Sequence, residues 1–429
     1  MKLSEIITNL GSGKLNLKEY VDSLFKRIES KEPEIQALIP GTYETQRIDD
    51  EIASLSEKYP NPSERPPLFG VPVGIKDIFR IDDFPTRCGS SLPSDLFEGP
   101  QAECVSRLKK AGAFMMAKTV TTEFAFNAPG PTRNPHKPKH TPGGSSSGSA
   151  AGTSCGFFPL ALGSQTVGSV IRPAAFCGVV GFKPSSGRIP ITGVIPYSVS
   201  ADHVGIFTGD TSAIDIIMSV VADNWQKHDD DPLPGSIVLG VPEGPYLKRA
   251  TQNGRAFFEK HVARIKRGGF HIKRISAFED FNRVEKNHRR LIAGEMARYH
   301  APWFEAQKNL YRPVTLEQIE KGFHVSDDEI EDLQIEQHRL RYGIEERMTR
   351  EAIDFWICPP AIDHAPRGLK STGDAVMNLP WTSAGLPAIT VPAGKDKLGL
   401  PHGVQIAGRF MEDEKLVPIA EKFFEILKD

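Results

Sequence analysis

The first 60 residues place apolar side chains at the spacing of amphipathic helices. Asn16 followed by Glu19 resembles a capping box, the signature of a helix start. The apolar positions that follow recur every three or four residues, namely Leu17, Val21, Leu24, Phe25 and Ile28. A Pro-rich stretch, NPSERPP, ends this section. We therefore expect residues 1–65 to form a helical section that packs on the outside of the core.

From Leu68 onward, short apolar runs alternate with helical patterns. GVPVGI and FMMAKTV are typical of buried strands, and AECVSRLKKAG between them is typical of a helix. Near the C-terminus, DFWICPPA, PAITVPAG and HGVQIAGR have the same strand character, and a closing helix is expected in DEKLVPIAEKFFEIL. This alternation predicts an α/β fold around a largely buried sheet.

The remaining segments lack that alternation. Residues 127–163 are rich in Gly, Pro and Ser, and a loop of that length in a compact domain is usually functional. Residues 236–350 are more charged and mostly helical in pattern, with one short strand at IVLGV. Between them, His228 with Asp229, Asp230 and Asp231 favours a solvated linker over a cation site, because the further ligands of a calcium loop are missing.

Composition narrows the class of protein. Among 429 residues, 52 Lys and Arg balance 54 Asp and Glu for a net charge of -2, so nothing indicates a nucleic-acid partner. No apolar run approaches the roughly 18 residues that a membrane span needs, and the N-terminus does not resemble a signal peptide. The five scattered cysteines predict reduced core residues in a cytoplasmic protein, namely Cys88, Cys104, Cys155, Cys177 and Cys358.

Two Gly- and Ser-rich segments and one lysine carry the candidate chemistry. Ser145 lies in TPGGSSSGSAAG, Ser169 in GSQTVGSVIRPAAFCG, and Lys76 upstream in GVPVGIKDIF. A serine hydroxyl needs a neighbouring base, and lysine is a base only when neutral. Burial lowers a lysine pKa, and the flanks of Lys76 are apolar enough to bury it. Asp77 must then point away from Lys76, as neighbouring residues of a strand do.

These segments closely resemble the amidase signature family over roughly half of the chain, including FKPSSGRIP, TGDAVMNLPWTSAGLPAITVPAG and GVQIAGR. The resemblance implies the amidase signature fold, a central mixed β-sheet covered by helices on both faces. It assigns residues 66–429 to one domain with a core at 66–225 and 351–429. We interpret the charged, mostly helical section at about 236–350 as variable and substrate-facing.

The resemblance also implies the site. Lys76 is the expected base, Ser145 the bridging serine after a cis peptide bond, and Ser169 the nucleophile. The oxyanion hole is expected from the backbone N–H groups of Thr166, Val167, Gly168 and Ser169. Independently of the resemblance, no cofactor or metal is expected, because the sequence shows neither a convincing ligand cluster nor a phosphate-binding motif. Asp202, in SADHVG, is expected to make structural hydrogen bonds.

The chain departs from the commonest signature at three positions. Ser147 stands where a second glycine is usual, and Gln165 replaces an acidic residue. Arg172 comes three residues after Ser169 instead of two. These departures leave the roles of Gln165 and Arg172 open, while the positions of Lys76, Ser145 and Ser169 are unaffected.

Other interpretations of the same residues are weaker. Ser146 fits the GxSxG nucleophile elbow, but no strand precedes it. The glycine-rich loop lacks the lysine of a phosphate-binding loop, and taken alone it also fits a flexible linker. His136 and His140 flank Pro138, so no helix can bring them together as metal ligands, and we expect them at the surface.

The predicted function is hydrolysis of a carboxamide or related C–N bond through a Ser169 acyl-enzyme, with release of ammonia or an amine. The predicted substrates are small linear amides. Two alternatives stay open, namely the glutaminase-type subunit of an amidotransferase and a non-catalytic binding relative. A homodimer is also left open.

Overall fold

The computed structural model of the protein describes residues 1–226 and 236–428. The acidic run at 228–231, predicted to be a linker, lies outside the described residues. The strands are β1 (Pro72–Lys76), β2 (Phe114–Thr119), β3 (Leu160–Gln165), β4 (Val180–Lys183), β5 (His203–Thr208), β6 (Val238–Glu243), β7 (His271–Ser276), β8 (Phe355–Cys358), β9 (Ala388–Lys395) and β10 (Pro401–Ala407).

The helices surround these strands in the chain order expected of an α/β protein. They are α1 (Leu3–Gly11), α2 (Leu17–Ile35), α3 (Thr45–Lys58), α4 (Glu103–Lys110), α5 (Ser147–Cys155), α6 (Ile171–Cys177), α7 (Ile214–Val221), α8 (Gln252–Arg267), α9 (Phe281–His300), α10 (Phe304–Gln307), α11 (Pro313–Gly322), α12 (Asp327–Arg350), α13 (Leu379–Ser383) and α14 (Leu416–Leu427).

The ten strands form one mixed sheet, in the order β2-β1-β3-β5-β4-β9-β10-β8-β6-β7. β1 pairs in parallel with β2 and β3, whereas β5 joins β3 and β4 by antiparallel pairing. Every residue of β1 through β5 is buried. Since successive side chains of a strand point to opposite faces, complete burial requires cover on both faces. The predicted mixed sheet with helices on both sides is confirmed.

The N-terminal helices agree with the apolar spacing. The Asn16 side chain accepts a hydrogen bond from the Glu19 N–H and caps α2, and the predicted apolar stripe of this helix is buried. The side chains of α1, α2 and α3 join the same hydrophobic cluster as the sheet.

Two elements differ from the sequence expectation. The segment 127–163 is not the continuous loop that its composition favours, because α5 lies within it. α5 is built from Ser, Gly, Ala, Thr and Cys and is buried almost all round, so it has no polar face to produce a helical period. Gly148 and Gly152 allow its close packing, because a Cβ at either position would lie 2.2 Å from the Ala37 carbonyl oxygen or 2.4 Å from the Phe158 ring. The second element is β7, an exposed edge strand in the section expected to hold only one strand.

The five cysteines are buried and free, as predicted. Within residues 1–226 and 236–428, no helix combines the length and apolar character that a membrane crossing requires.

Candidate active site

Lys76 is the last residue of β1, and its side chain is completely buried. Its Nζ lies 2.7 Å from the Ser145 Oγ and 2.7 Å from the Ser164 Oγ. Among the described residues, no carboxylate lies within ion-pair distance of this nitrogen. A strand that is buried on both faces thus delivers a lysine amine to two serine hydroxyls.

Burial sets the protonation of this amine. Loss of hydration penalises the ammonium form and lowers the Lys76 pKa to about 7, although the negative charge of Asp202 opposes the shift. Asp77 does point away, as predicted. Its carboxylate forms a buried ion pair with Lys118, at 2.6 Å between Oδ1 and Nζ. A large fraction of Lys76 is therefore neutral near pH 7.

Ser145 follows a cis peptide bond from Gly144, as the resemblance implied, and is 2% exposed. Arg172 fixes the loop that carries it. Its guanidinium donates to the Gly144 carbonyl oxygen at 2.6 Å and to the Gly373 carbonyl oxygen at 2.9 Å. The position of this arginine, one residue later than usual, thus serves to hold the Ser145 loop against the segment around Gly373.

Ser146 is not placed as an elbow nucleophile. Its hydroxyl is fully buried and is engaged with the backbone of Ser164, to whose carbonyl oxygen it donates at 3.2 Å. No strand leads into it, in agreement with the sequence argument. The loop is also not a linker, because residues 141–150 are all buried.

Residues 166–169 form the turn between β3 and α6, and Gln165 anchors it. The Gln165 Oε1 accepts from the N–H groups of Val170 at 2.9 Å and Ile171 at 3.0 Å, the first donors of α6. Its Nε2 donates to the Thr382 Oγ1 at 2.9 Å. Gln165 therefore caps α6, which satisfies backbone donors that the helix itself leaves unpaired.

The carbonyl groups of this turn are held from outside. His288 donates from Nε2 to the Thr166 carbonyl oxygen at 2.9 Å, and the Thr382 hydroxyl donates to the Val167 carbonyl oxygen at 2.7 Å. The C=O and N–H of a trans peptide point in opposite directions, so these bonds also fix the N–H groups of Val167 and Gly168. A Cβ at Gly168 would lie 2.1 Å from the Asn378 Oδ1, so only glycine fits there.

Ser169 ends this turn, one residue before the N-cap residue of α6, and is 8% exposed. Among the described residues its hydroxyl has no hydrogen-bond partner. Asp202, predicted to be structural, accepts from the Thr166 hydroxyl at 2.5 Å and from the Tyr197 N–H at 2.8 Å. The structure therefore joins Lys76 to Ser145 by a hydrogen bond, whereas among the described residues Ser169 makes no hydrogen bond to either.

Three residues of this arrangement were not foreseen from the sequence, namely Ser164, His288 and Thr382. Ser164 lies in the same GSQTVGS segment as Ser169, and a search for hydroxyls near a buried lysine could have found it. Thr382 lies in a block that carries the family resemblance. His288 belongs to the charged section at 236–350, and nothing in its surroundings in the sequence marks it.

Two groups of histidines bear on metal binding. His136 and His140 are half-buried, and each contacts a backbone carbonyl oxygen, of Cys177 and Ala365 respectively. In the described part of the chain, a set with the spacing of metal ligands consists of Asp363, His364 and His402. It contains no residue of the candidate active site.

A buried lysine that contacts a serine, beside a capped turn ending in a second serine, is the arrangement expected of a serine hydrolase with a lysine base. Comparison with known proteins gives the family. A family model described as Amidase matches residues 19–417, so the chain belongs to the amidase family.

Individual relatives agree with this assignment. The chain is 29% identical over 475 residues to a glutamyl-tRNA(Gln) amidotransferase subunit of Synechococcus sp. (strain WH7803), a match that covers 99% of this chain and 96% of that protein. It is 27% identical to a putative amidase AmiD of Mycobacterium bovis (strain ATCC BAA-935 / AF2122/97), with 99% and 94% covered.

Solved structures share the fold. A crystal structure of an amidase matches with a TM-score of 0.89 at 28% identity, covering 100% of both chains. The peptide amidase of Stenotrophomonas maltophilia matches with a TM-score of 0.83 at 23% identity, covering 100% of this chain and 97% of that one, and at this identity it supports the fold alone.

Proposed function

We propose that the protein hydrolyses small linear amides, with Ser169 as nucleophile, Ser145 as proton relay and Lys76 as base. One observation carries the proposal: the Lys76 Nζ contacts the Ser145 Oγ at 2.7 Å in a fully buried environment that lowers the lysine pKa to about 7. A lysine retained only for stability gains little from burial without a counter-ion.

The contact of Lys76 with Ser164 is compatible with a role of Lys76 as a base. A neutral amine has one lone pair and two N–H bonds. Donation of one N–H to the Ser164 Oγ at 2.7 Å leaves the lone pair for the proton of Ser145. Ser145 can then accept the proton of Ser169 as Ser169 attacks the carbonyl carbon. The resulting lysine ammonium returns a proton by the same route to the leaving nitrogen, which departs poorly as an anion.

The turn 166–169 supports the proposed oxyanion hole. The N–H groups of Val167 and Gly168 are fixed through the carbonyl bonds from His288 and Thr382. Preorganised donors of this kind commonly contribute on the order of 3 kcal/mol each to the stabilisation of a transition state. Water then cleaves the acyl-enzyme by the reverse proton path.

The section at 236–350 is proposed to face the substrate. A cavity of about 560 Å³ is lined mainly by residues of α9 and α12 and reaches His288 and Ser383. The cavity thus touches His288, which donates to the Thr166 carbonyl oxygen. It also touches Ser383, the neighbour of Thr382, and Thr382 donates to the Val167 carbonyl oxygen. This placement couples the variable section to the turn that would stabilise the oxyanion.

A second candidate function is the glutaminase-type subunit of an amidotransferase. The observation that favours it is the similarity over 99% of this chain to a protein named as a subunit of glutamyl-tRNA(Gln) amidotransferase. In that case ammonia would pass to a partner protein.

Ammonia release separates these functions. The purified chain is assayed with a panel of linear amides, ureides and glutamine, alone and with candidate partner proteins, and Ser169→Ala serves as the inactive control. We expect turnover of a linear amide by the chain alone. Glutamine turnover that requires a partner would support the amidotransferase function instead. Absence of turnover under every condition, together with no covalent labelling of Ser169, would indicate a binding protein.

A further inference from the structure

Four side chains from three segments meet beside the β9–β10 hairpin. Asp363 and His364 follow β8, Asp396 lies in the hairpin turn, and His402 lies in β10. Candidate ligand atoms of Asp363, His364 and His402 all lie within 4.8 Å of one another. The Asp396 Oδ2 is 2.9 Å from the His364 Nδ1 and 3.7 Å from the His402 Nε2. Two imidazoles and two carboxylates therefore converge.

The His364 Nδ1 and the His402 Nε2 are both buried, and neither makes a hydrogen bond of good geometry among the described residues. His402 is 9% exposed, and Phe257 stacks on its ring at 3.7 Å between centroids. If its Nε2 carries a proton, the Asp396 oxygen at 3.7 Å is too far to accept it. If it does not, a lone pair faces a carboxylate. Either protonation state leaves the nitrogen without a hydrogen bond, and a cation between the groups would take its lone pair.

The carboxylates are held as metal ligands usually are. The Asp363 Oδ1 accepts from the Asn253 Nδ2 at 2.8 Å and its Oδ2 from the Thr251 hydroxyl at 2.5 Å. The Asp396 Oδ1 accepts from two backbone N–H groups of its turn, which leaves Oδ2 directed at the histidines. Such outer hydrogen bonds orient ligands and are a common property of metal sites.

We propose that Asp363, His364, Asp396 and His402 form a binding site for a divalent transition metal, with Zn²⁺ as the best fit. Zinc takes four ligands from imidazole nitrogens and carboxylate oxygens at about 2.0–2.2 Å in a tetrahedron. Ligand atoms of such a tetrahedron lie about 3.3–3.6 Å apart, as follows from those bond lengths. The separations from the Asp396 Oδ2, 2.9 Å to the His364 Nδ1 and 3.7 Å to the His402 Nε2, bracket that spacing, and the His364 Nδ1 lies 3.3 Å from the Asp363 Oδ1. Magnesium and calcium prefer all-oxygen ligands and fit less well.

The site has a structural role. It ties the segment after β8 to the β9–β10 hairpin, and Asp363 extends the connection to Thr251, the residue that caps α8. No metal was expected from the sequence, because these ligands lie on separate segments without a recognisable spacing. The proposed catalytic residues are not among them, so the metal is not assigned to the chemistry of amide hydrolysis.

Zinc titration of the full-length protein tests the proposal. The protein is stripped with a chelator and titrated with Zn²⁺ in competition with a chromogenic indicator. We expect one equivalent bound per chain, a rise in Tm on binding, and at least about tenfold weaker binding in His364→Gln and in Asp396→Asn. His338→Gln, which removes an exposed histidine of α12, is the matched control and should bind as the wild type does.

Two controls keep the outcomes interpretable. Asparagine at 396 retains an oxygen for the two turn N–H groups, and metal-free variants whose Tm equals that of the metal-free wild type are folded. Failure of the wild type to bind zinc, or equal affinity in wild type and both ligand variants, would overturn the site. Amide turnover of the stripped protein is measured separately, so that a failure of this site is distinguishable from a failure of the proposed function.

Discussion

Replacement of Asp202 by asparagine should move the pH dependence of amide hydrolysis to lower pH. Burial is the main cause of the lowered Lys76 pKa, and the Asp202 charge acts against it by stabilising the ammonium form. Loss of that charge makes protonation of Lys76 harder, so its pKa falls further. Asparagine can still accept from the Tyr197 N–H and can donate to the Thr166 hydroxyl, so the geometry is retained.

The size of the effect follows from the wild-type value. Burial brings the Lys76 pKa from its ordinary value of 10.5 down to about 7. At pH 7 about half of the amine is then neutral, compared with about 1 in 3,000 for an ordinary lysine. Between pH 6 and pH 8 the neutral fraction rises from about one tenth to about nine tenths, so kcat/KM should rise about tenfold. In Asp202→Asn the same interval should give a smaller rise.

The assay is kcat/KM for one amide from pH 4 to pH 9, which reports groups of the free enzyme. Asp328→Asn, which neutralises an exposed carboxyl of α12, should leave the wild-type limb unchanged. Burial raises the Asp202 pKa to about 6, so titration of this carboxyl is the competing explanation for the rise of kcat/KM with pH. A limb that disappears in Asp202→Asn would belong to Asp202. A limb that stays in place or moves to higher pH would contradict the electrostatic argument.

Three further predictions address the proposed roles. A fluorophosphonate should label Ser169, and peptide mapping that finds the label on Ser146 would support the elbow instead. Lys76→Ala should reduce hydrolysis of an amide more than of its matched ester, since an alkoxide needs less protonation; equal fractional losses, measured with acylation rate-limiting, would contradict this role. His288→Ala should lower kcat about 10- to 100-fold with little change in KM, because the Thr166 carbonyl loses its donor, and His288→Gln should restore part of it; no recovery would indicate that the lost bond is not the cause.

Much of the fold was predictable because buried strands have a clear signature. β1 and β2 are short, mainly apolar runs that each begin two residues after a glycine, and they lie where the pattern placed them. α5 was missed because it is a helix without a polar face. β7 was missed because it is too polar to resemble a buried strand. It lies at the sheet edge and keeps polar and charged side chains in water.

The site likewise contains residues that the sequence predicts and residues that it does not. Lys76, Ser145 and the turn 166–169 lie in short motifs whose residue types are dictated by their chemistry. His288 and Thr382 act on backbone carbonyl groups 122 and 215 positions away, respectively. A backbone acceptor leaves no mark on the sequence, so only the folded chain reveals these contacts.

Gln165 shows why the departure from the usual acidic residue is compatible with an ordered turn. The N–H groups of Val170 and Ile171 require an acceptor, so the Gln165 Oε1 must face them and its NH₂ must face Thr382. The Thr382 hydroxyl then accepts from Gln165 and keeps its single proton for the Val167 carbonyl, its shorter contact at 2.7 Å. A carboxylate at 165 would instead draw that proton to itself and leave the Val167 carbonyl without a donor. In this protein, therefore, glutamine sets the direction of both hydrogen bonds. Gln165 donates to Thr382, and Thr382 donates to the carbonyl oxygen of the Val167–Gly168 peptide, whose N–H belongs to Gly168.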